Sequence, residues 1–75
     1  MTLKNIKYLF PFDTRVTIDE VIFVDDGEHF NRVKTNRIET RTFVSDLDEK
    51  ILDREIGLIV PSSENNIFIE FWVEE

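Results

Sequence analysis

Residues 15–34 read RVTIDEVIFVDDGEHFNRVK. Val16 and Ile18 alternate with Arg15 and Thr17, and the apolar run Val21-Ile22-Phe23-Val24 leads into Asp25-Asp26-Gly27-Glu28. Apolar residues recurring with period two mark a half-buried strand. Asp-Gly between two extended runs is a preferred centre of a type I′ hairpin turn. The stretch therefore predicts a β-hairpin, with His29 to about Lys34 as its return strand and Asp19-Glu20 as a bulge or break in the first strand.

On the N-terminal side, Thr2 is placed to cap a helix from Leu3 to Phe10, with Leu3, Ile6 and Phe10 at helical spacing. Pro11 ends it, because a residue before proline avoids the α region. On the C-terminal side, Thr35-Asn36 reads as a turn and Arg37 to Val44 as an alternating strand. Ser45 reads as the N-cap of a short helix. Asp46, Asp48 and Glu49 fall in its first turn, where the helix dipole favours negative charge, and Leu47, Ile51 and Leu52 form its buried side. Arg54 to Val60 predicts a strand stopped by Pro61, Ser62 to Asn66 a polar loop, and Ile67 to Val73 a last strand open to a sheet edge. The expected fold is α+β: a small, mostly antiparallel sheet of four or five strands with an N-terminal helix and a second short helix, in one domain over residues 1–75.

Composition agrees. Val and Ile together number 16 against 5 Leu and no Ala, which favours sheet over helix. At 75 residues the core is small, and a deep catalytic pocket would hollow it out. With no Cys there is no disulfide framework and no thiolate chemistry, which points to a cytoplasmic setting. No apolar run approaches the ~20 residues of a membrane span. His29, the only histidine, has no triad or zinc partners, and Gly27 and Gly57 match no phosphate-binding loop. Asp25, Asp26, Glu28 and His29 resemble a metal cluster in residue type, but a hairpin turn explains Asp-Asp-Gly without a ligand. No catalytic residue, metal or cofactor is expected.

Charge is the informative feature. The chain carries 16 acidic residues against 9 Lys and Arg, a net charge of −7. The cations concentrate in residues 31–44, where Arg32, Lys34, Arg37 and Arg41 face only Glu39. With Phe30 and Phe43 as stacking partners this segment could form a small RNA- or DNA-binding module. Cross-strand pairing with acidic neighbours is the simpler reading, because the overall field repels a polyanion. The acidic remainder either keeps a β-domain soluble or docks on a basic protein as a nucleic-acid mimic. On the docking reading Asp25, Asp26, Glu28, Asp46, Asp48, Glu49, Glu70, Glu74 and Glu75 supply charge, and Trp72 supplies an apolar anchor.

Leu3-x-x-Ile6-x-x-Leu9-Phe10-Pro11-x-Asp13-Thr14-x-Val16-x-Ile18 resembles the opening of small uncharacterised acidic proteins from phages and mobile elements of Gram-positive bacteria. Ile51-Leu52-Asp53-Arg54-Glu55-Ile56, followed by Asn66-x-Phe68-Ile69-Glu70, resembles their closing β-hairpin. The basic 31–44 segment departs from that pattern. The resemblance implies a setting: a phage protein acting by protein–protein interaction in the cytoplasm of a bacterial host, as an anti-defence inhibitor such as an anti-CRISPR. The expected partner is a host protein with a basic, nucleic-acid-binding surface. The alternative is a structural or self-associating accessory protein that forms a homodimer.

Overall fold

The computed structural model describes residues 1–75, the side chain of Phe30 excepted. Its elements in chain order are α1 (Leu3–Ile6), β1 (Arg15–Asp25), β2 (Phe30–Phe43), α2 (Glu49–Leu52), β3 (Leu58–Ser63) and β4 (Asn66–Glu74), with 3-10 turns at Lys7–Leu9 and Val44–Asp46. The result is a small α+β domain with a four-stranded mixed sheet in the order β2-β1-β4-β3. The molecule measures 43 × 23 × 17 Å, and a strand as long as β2, at about 3.3 Å per residue, spans nearly all of the long axis.

The strands alternate and most of their pairings are antiparallel, as expected, with one parallel exception. Each hairpin is antiparallel, β1 with β2 and β3 with β4, whereas the central pair β1/β4 is parallel, from Arg15 opposite Asn66 to Phe23 opposite Glu74. The two strands with the most buried residues therefore lie side by side in the middle, where both edges of each are hydrogen-bonded. That overturns the expectation of β4 as an edge strand; the edges are β2 and β3. Pro61 lies within β3 rather than ending it, which an edge strand tolerates.

β2 is one strand of 14 residues, without a turn at Thr35-Asn36. Pairing decides this: Glu20 and Val21 of β1 lie opposite Asn36 and Thr35, so the ladder runs through the weak turn signal. Bends are absorbed by register shifts instead. At one of them Arg41 adopts φ 48 and its N–H donates to Thr17 Oγ1 at 3.1 Å. The hairpin turn is present but centred one residue later than Asp26-Gly27. Gly27 adopts φ 95, which glycine tolerates, and Asp26 N–H donates to the His29 carbonyl at 3.1 Å across Gly27-Glu28.

One face of the sheet holds the core. Val16, Ile18, Ile69 and Phe71 pack under Leu3 of α1, Leu47 and Leu52, with Phe10, Val44 and Ile51 at the margin. Thr2 caps α1 by accepting from Asn5 N–H, and the Asn5 side chain accepts from Thr2 N–H in return. The N-cap of α2 is Asp48, which accepts from Ile51 N–H at 3.0 Å, rather than Ser45, which lies in the preceding 3-10 turn. Lys4 of α1 reaches Glu49 and Asp53 beside α2 at 3.4 and 3.6 Å. Arg54 closes the core, stacked 4.7 Å over the Phe71 ring and paired with Glu20 at 2.8 Å. Farther along this face, Ile22, Val24 and Val73 are only half-buried and stand outside the core cluster. We call the helix-covered end proximal and the end at the β1–β2 turn distal.

Candidate functional site

Strand alternation sends Thr17, Asp19, Val21 and Phe23 of β1, and Asn66, Phe68, Glu70 and Trp72 of β4, to the face opposite the core. No helix covers this face, yet Asp19, Val21 and Glu70 are buried. Long side chains from β2 supply the cover. Arg32 starts opposite Phe23, crosses β1 and meets Glu70 on β4 with two hydrogen bonds, Nη1 to Oε2 at 3.1 Å and Nη2 to Oε1 at 3.0 Å. The residue of this face between Phe23 and the Asp19/Glu70 row is Val21, so the arginine passes over it. This accounts for a valine with no exposed surface on an open sheet face. Arg37 pairs through its Nε–H with Asp19 Oδ1, its direct neighbour across β1/β2. At the proximal end Thr17 Oγ1 donates to Asn66 Oδ1 at 3.3 Å.

Trp72 completes the row. Its Nε1–H donates to Glu70 Oε1 at 2.9 Å, and its ring meets Phe23 edge-on with centroids 5.5 Å apart. Arg32 lies 5.8 Å over the same Phe23 ring. Gly57, whose N–H donates to the Glu70 carbonyl at 2.8 Å, lies against the indole; a Cβ there would come within 2.3 Å of Trp72 Cγ. Held on these sides, the indole still leaves 52% of its surface in solvent. Burial is the largest influence on the Glu70 carboxyl and opposes its charge. The Trp72 and Arg32 donors and the arginine's charge together outweigh it, and the group titrates below the usual carboxylate range.

The residues expected to form an acidic docking surface divide three ways. Asp25, Asp26 and Glu28 surround the β1–β2 turn. Glu74 lies opposite Phe23, and Glu75 donates its N–H to the Phe23 carbonyl at 3.0 Å, so both join the turn at the distal end. Trp72, beside Val21, borders this group. Asp46, Asp48 and Glu49 lie at the proximal end instead, where Asp48 caps α2 and Glu49 pairs with Lys4. Glu70 requires a correction: it is 4% exposed and held by Arg32 and Trp72, so it presents no charge to a partner. Alternation placed it on the Trp72 face, but its salt-bridge partner is 38 residues away and carries no local signal.

Within the distal group Asp26 has a local task. Its Oδ1 accepts from Glu28 and His29 N–H at 3.0 and 2.9 Å, and its Oδ2 accepts from the Asn31 amide at 3.0 Å. These bonds, the His29 N–H first, hold its carboxyl below the ordinary range. Asp25 Oδ1 accepts from Gly27 N–H at 2.8 Å. Glu28, Glu74 and Glu75 are exposed and make no ion pair among the described residues. No three His, Asp or Glu side chains among the described residues converge as metal ligands would.

The basic segment is largely spent within the sheet. Arg32 and Arg37 are paired with Glu70 and Asp19, and Arg41 reaches Ser63 Oγ at 3.5 Å. Lys34 is exposed and makes no ion pair among the described residues. Phe43 stacks with Arg15 at 4.7 Å, and the side chain of Phe30 lies outside the described residues. No helix of the described residues is long and apolar enough to cross a membrane. Comparison with protein-family models, with curated proteins and with solved structures finds no match.

Proposed function

We propose that this protein is a non-enzymatic binding module that docks its distal end on a basic surface of a protein partner. Trp72 is the anchor, and Asp25, Glu28, Glu74 and Glu75 supply the charge. One observation carries the reading. Acidic residues from two distant parts of the chain meet at one end of the sheet, beside a half-exposed indole whose orientation is fixed by Glu70, Phe23 and Gly57. An aromatic side chain with little freedom left to lose, bordered on its distal side by charge that steers encounter, suits a hot spot on a cationic groove. The basic groove of a nucleic-acid-binding protein has that chemistry. An anti-defence inhibitor of the anti-CRISPR kind is the role that the phage-like opening and closing segments suggest. The non-enzymatic part rests on composition: no cysteine, a single histidine without triad or zinc partners, and no phosphate-binding glycine loop.

Direct nucleic-acid binding by residues 31–44 has less support, because Arg32 and Arg37 already answer buried carboxylates. The test uses a partner captured from bacterial lysate and then purified, with binding measured at two salt concentrations. Glu74→Lys combined with Asp25→Lys is expected to weaken binding at least about tenfold, roughly 1.4 kcal/mol, and to flatten its salt dependence. Trp72→Ala is expected to weaken binding while leaving the salt dependence in place. Salt-independent binding that ignores the charge reversals would rule the reading out.

A further inference from the structure

Of the two glycines, only Gly27 follows an Asp or Asn. An Asp-Gly bond reacts with itself more readily than other Asp-X bonds, because glycine has no Cβ to hinder attack by its own nitrogen on the preceding side-chain carboxyl. Nothing lies within 4 Å of where a Cβ would stand at Gly27, and both Asp26 and Gly27 are exposed, so water reaches them. Yet the groups that this reaction needs are already engaged. Asp26 Oδ1 accepts from Glu28 and His29 N–H, and its Oδ2 accepts from the Asn31 amide. The nitrogen of Gly27 donates its hydrogen to Asp25 Oδ1 at 2.8 Å. For an exposed turn this is a dense set of bonds, and all of them fall on the reacting pair or its next neighbour.

We propose that Asp26-Gly27 is a site of spontaneous isomerisation to isoaspartate, which the hydrogen bonds on Asp26 and Gly27 hold off in the folded chain. In the reaction Gly27 N attacks Cγ of the protonated Asp26 carboxyl. The N–Cγ bond forms, a Cγ–O bond breaks, and the amide hydrogen leaves with the hydroxyl as water. Water then opens the cyclic imide. Attack at Cγ returns aspartate, whereas attack at the main-chain carbonyl routes the backbone through Cβ and leaves isoaspartate. The folded turn opposes the first step twice. The donors, the His29 N–H first, keep the Asp26 carboxyl ionised and so a poor electrophile, and any rotation of it toward Gly27 N costs those bonds. The hydrogen that Gly27 N must lose is donated to the Asp25 carboxylate, whose charge disfavours an amide anion. Only a locally open turn reacts, so the rate follows how often the turn opens. Isomerisation adds one backbone carbon between Asp25 and Glu28 and changes their spacing at the distal end. The chemistry does not depend on whether those acids bind a partner, so the two proposals fail or succeed independently.

Incubation of the full chain at neutral pH, followed by proteolysis and mass spectrometry, tests it. The imide is one water lighter than the parent peptide. Isoaspartate has the parent mass, and electron-transfer fragmentation locates it in the chain. In guanidinium chloride the chain is expected to accumulate isoaspartate at position 26 at least about tenfold faster than the folded wild type. Folded Asn31→Ala and Asp25→Ala should each react at least about threefold faster than wild type, the effect of losing one hydrogen bond of modest net strength. Both side chains are exposed, so the thermal melt should barely move. Should either variant unfold, the wild-type comparison between folded and denatured chain still decides. A folded wild type that isomerises as fast as the denatured chain, variants that fold yet keep the wild-type rate, or a denatured chain that isomerises elsewhere and not at position 26 would each overturn the proposal.

Discussion

The two faces of the sheet are covered by different means. At the proximal end four strands lie under helices and turns, and Val16, Ile18, Ile69 and Phe71 are buried by apolar cover. Beyond Leu58, opposite Glu70, β3 is absent, and the distal half is a three-stranded ribbon. On the face away from the helices, Val21, Asp19 and Glu70 are buried instead by the stems of Arg32 and Arg37 and by Trp72. A small sheet can thus close one face with helices and the other with long side chains. The second solution leaves polar and aromatic groups at the surface, where a partner can reach them.

The two faces should therefore respond differently to substitution. The largest effect is expected at the proximal core. Phe71→Ala removes a fully buried ring and the platform under Arg54, at a cost of about 3–5 kcal/mol, enough to unfold much of so small a domain. Urea melts followed by circular dichroism measure it.

Next comes Gly57→Ala. The new methyl meets Trp72 Cγ, an atom close to its own backbone and unable to swing aside cheaply. About 1–3 kcal/mol of destabilisation is expected, with a shift in tryptophan emission as the indole leaves Glu70. An unchanged emission spectrum would show that the indole is not seated on Gly57.

Arg32→Ala should cost less, about 1–2 kcal/mol. The arginine is half-exposed, so its loss admits water to Glu70 instead of stranding a dry charge. Acid sharpens the point. The folded Glu70 carboxyl titrates below its unfolded value, so its contribution is complete above the unfolded pKa of about 4.3 and disappears as pH falls through the folded value. Glu70→Gln lacks this contribution. The stability gap between wild type and Glu70→Gln should therefore be largest at neutral pH and narrow below pH ~4. A gap independent of pH would mean that the Arg32 pair adds nothing through charge.

The smallest effect on stability belongs to the distal acids. Glu74→Lys and Glu28→Lys should stay within about 0.5 kcal/mol of wild type, because both side chains are exposed and unpaired among the described residues. Stability neutral to these changes, with binding sensitive to them, would separate a docking surface from a structural one.

Legible in the residues alone were the first and last strands, a turn at Gly27, the Thr2 cap and the alternation that puts Trp72 and Glu70 on one face, because these follow from period-two patterning and local hydrogen bonding. Even the wrong boundaries have local reasons: Thr35-Asn36 is a fair turn signal, and Ser45 a fair cap. Tertiary structure decided what local signals cannot encode. It joined β1 to β4 in parallel, ran β2 straight through Asn36, and brought Glu74 and Glu75 to the Asp25 turn while leaving Asp46, Asp48 and Glu49 at the far end. It also turned Glu70 from an expected surface charge into a buried one, through an arginine 38 residues earlier. The physical reason is the same each time. Strand order and charge pairing depend on which apolar faces bury together, and that is settled only when remote segments meet.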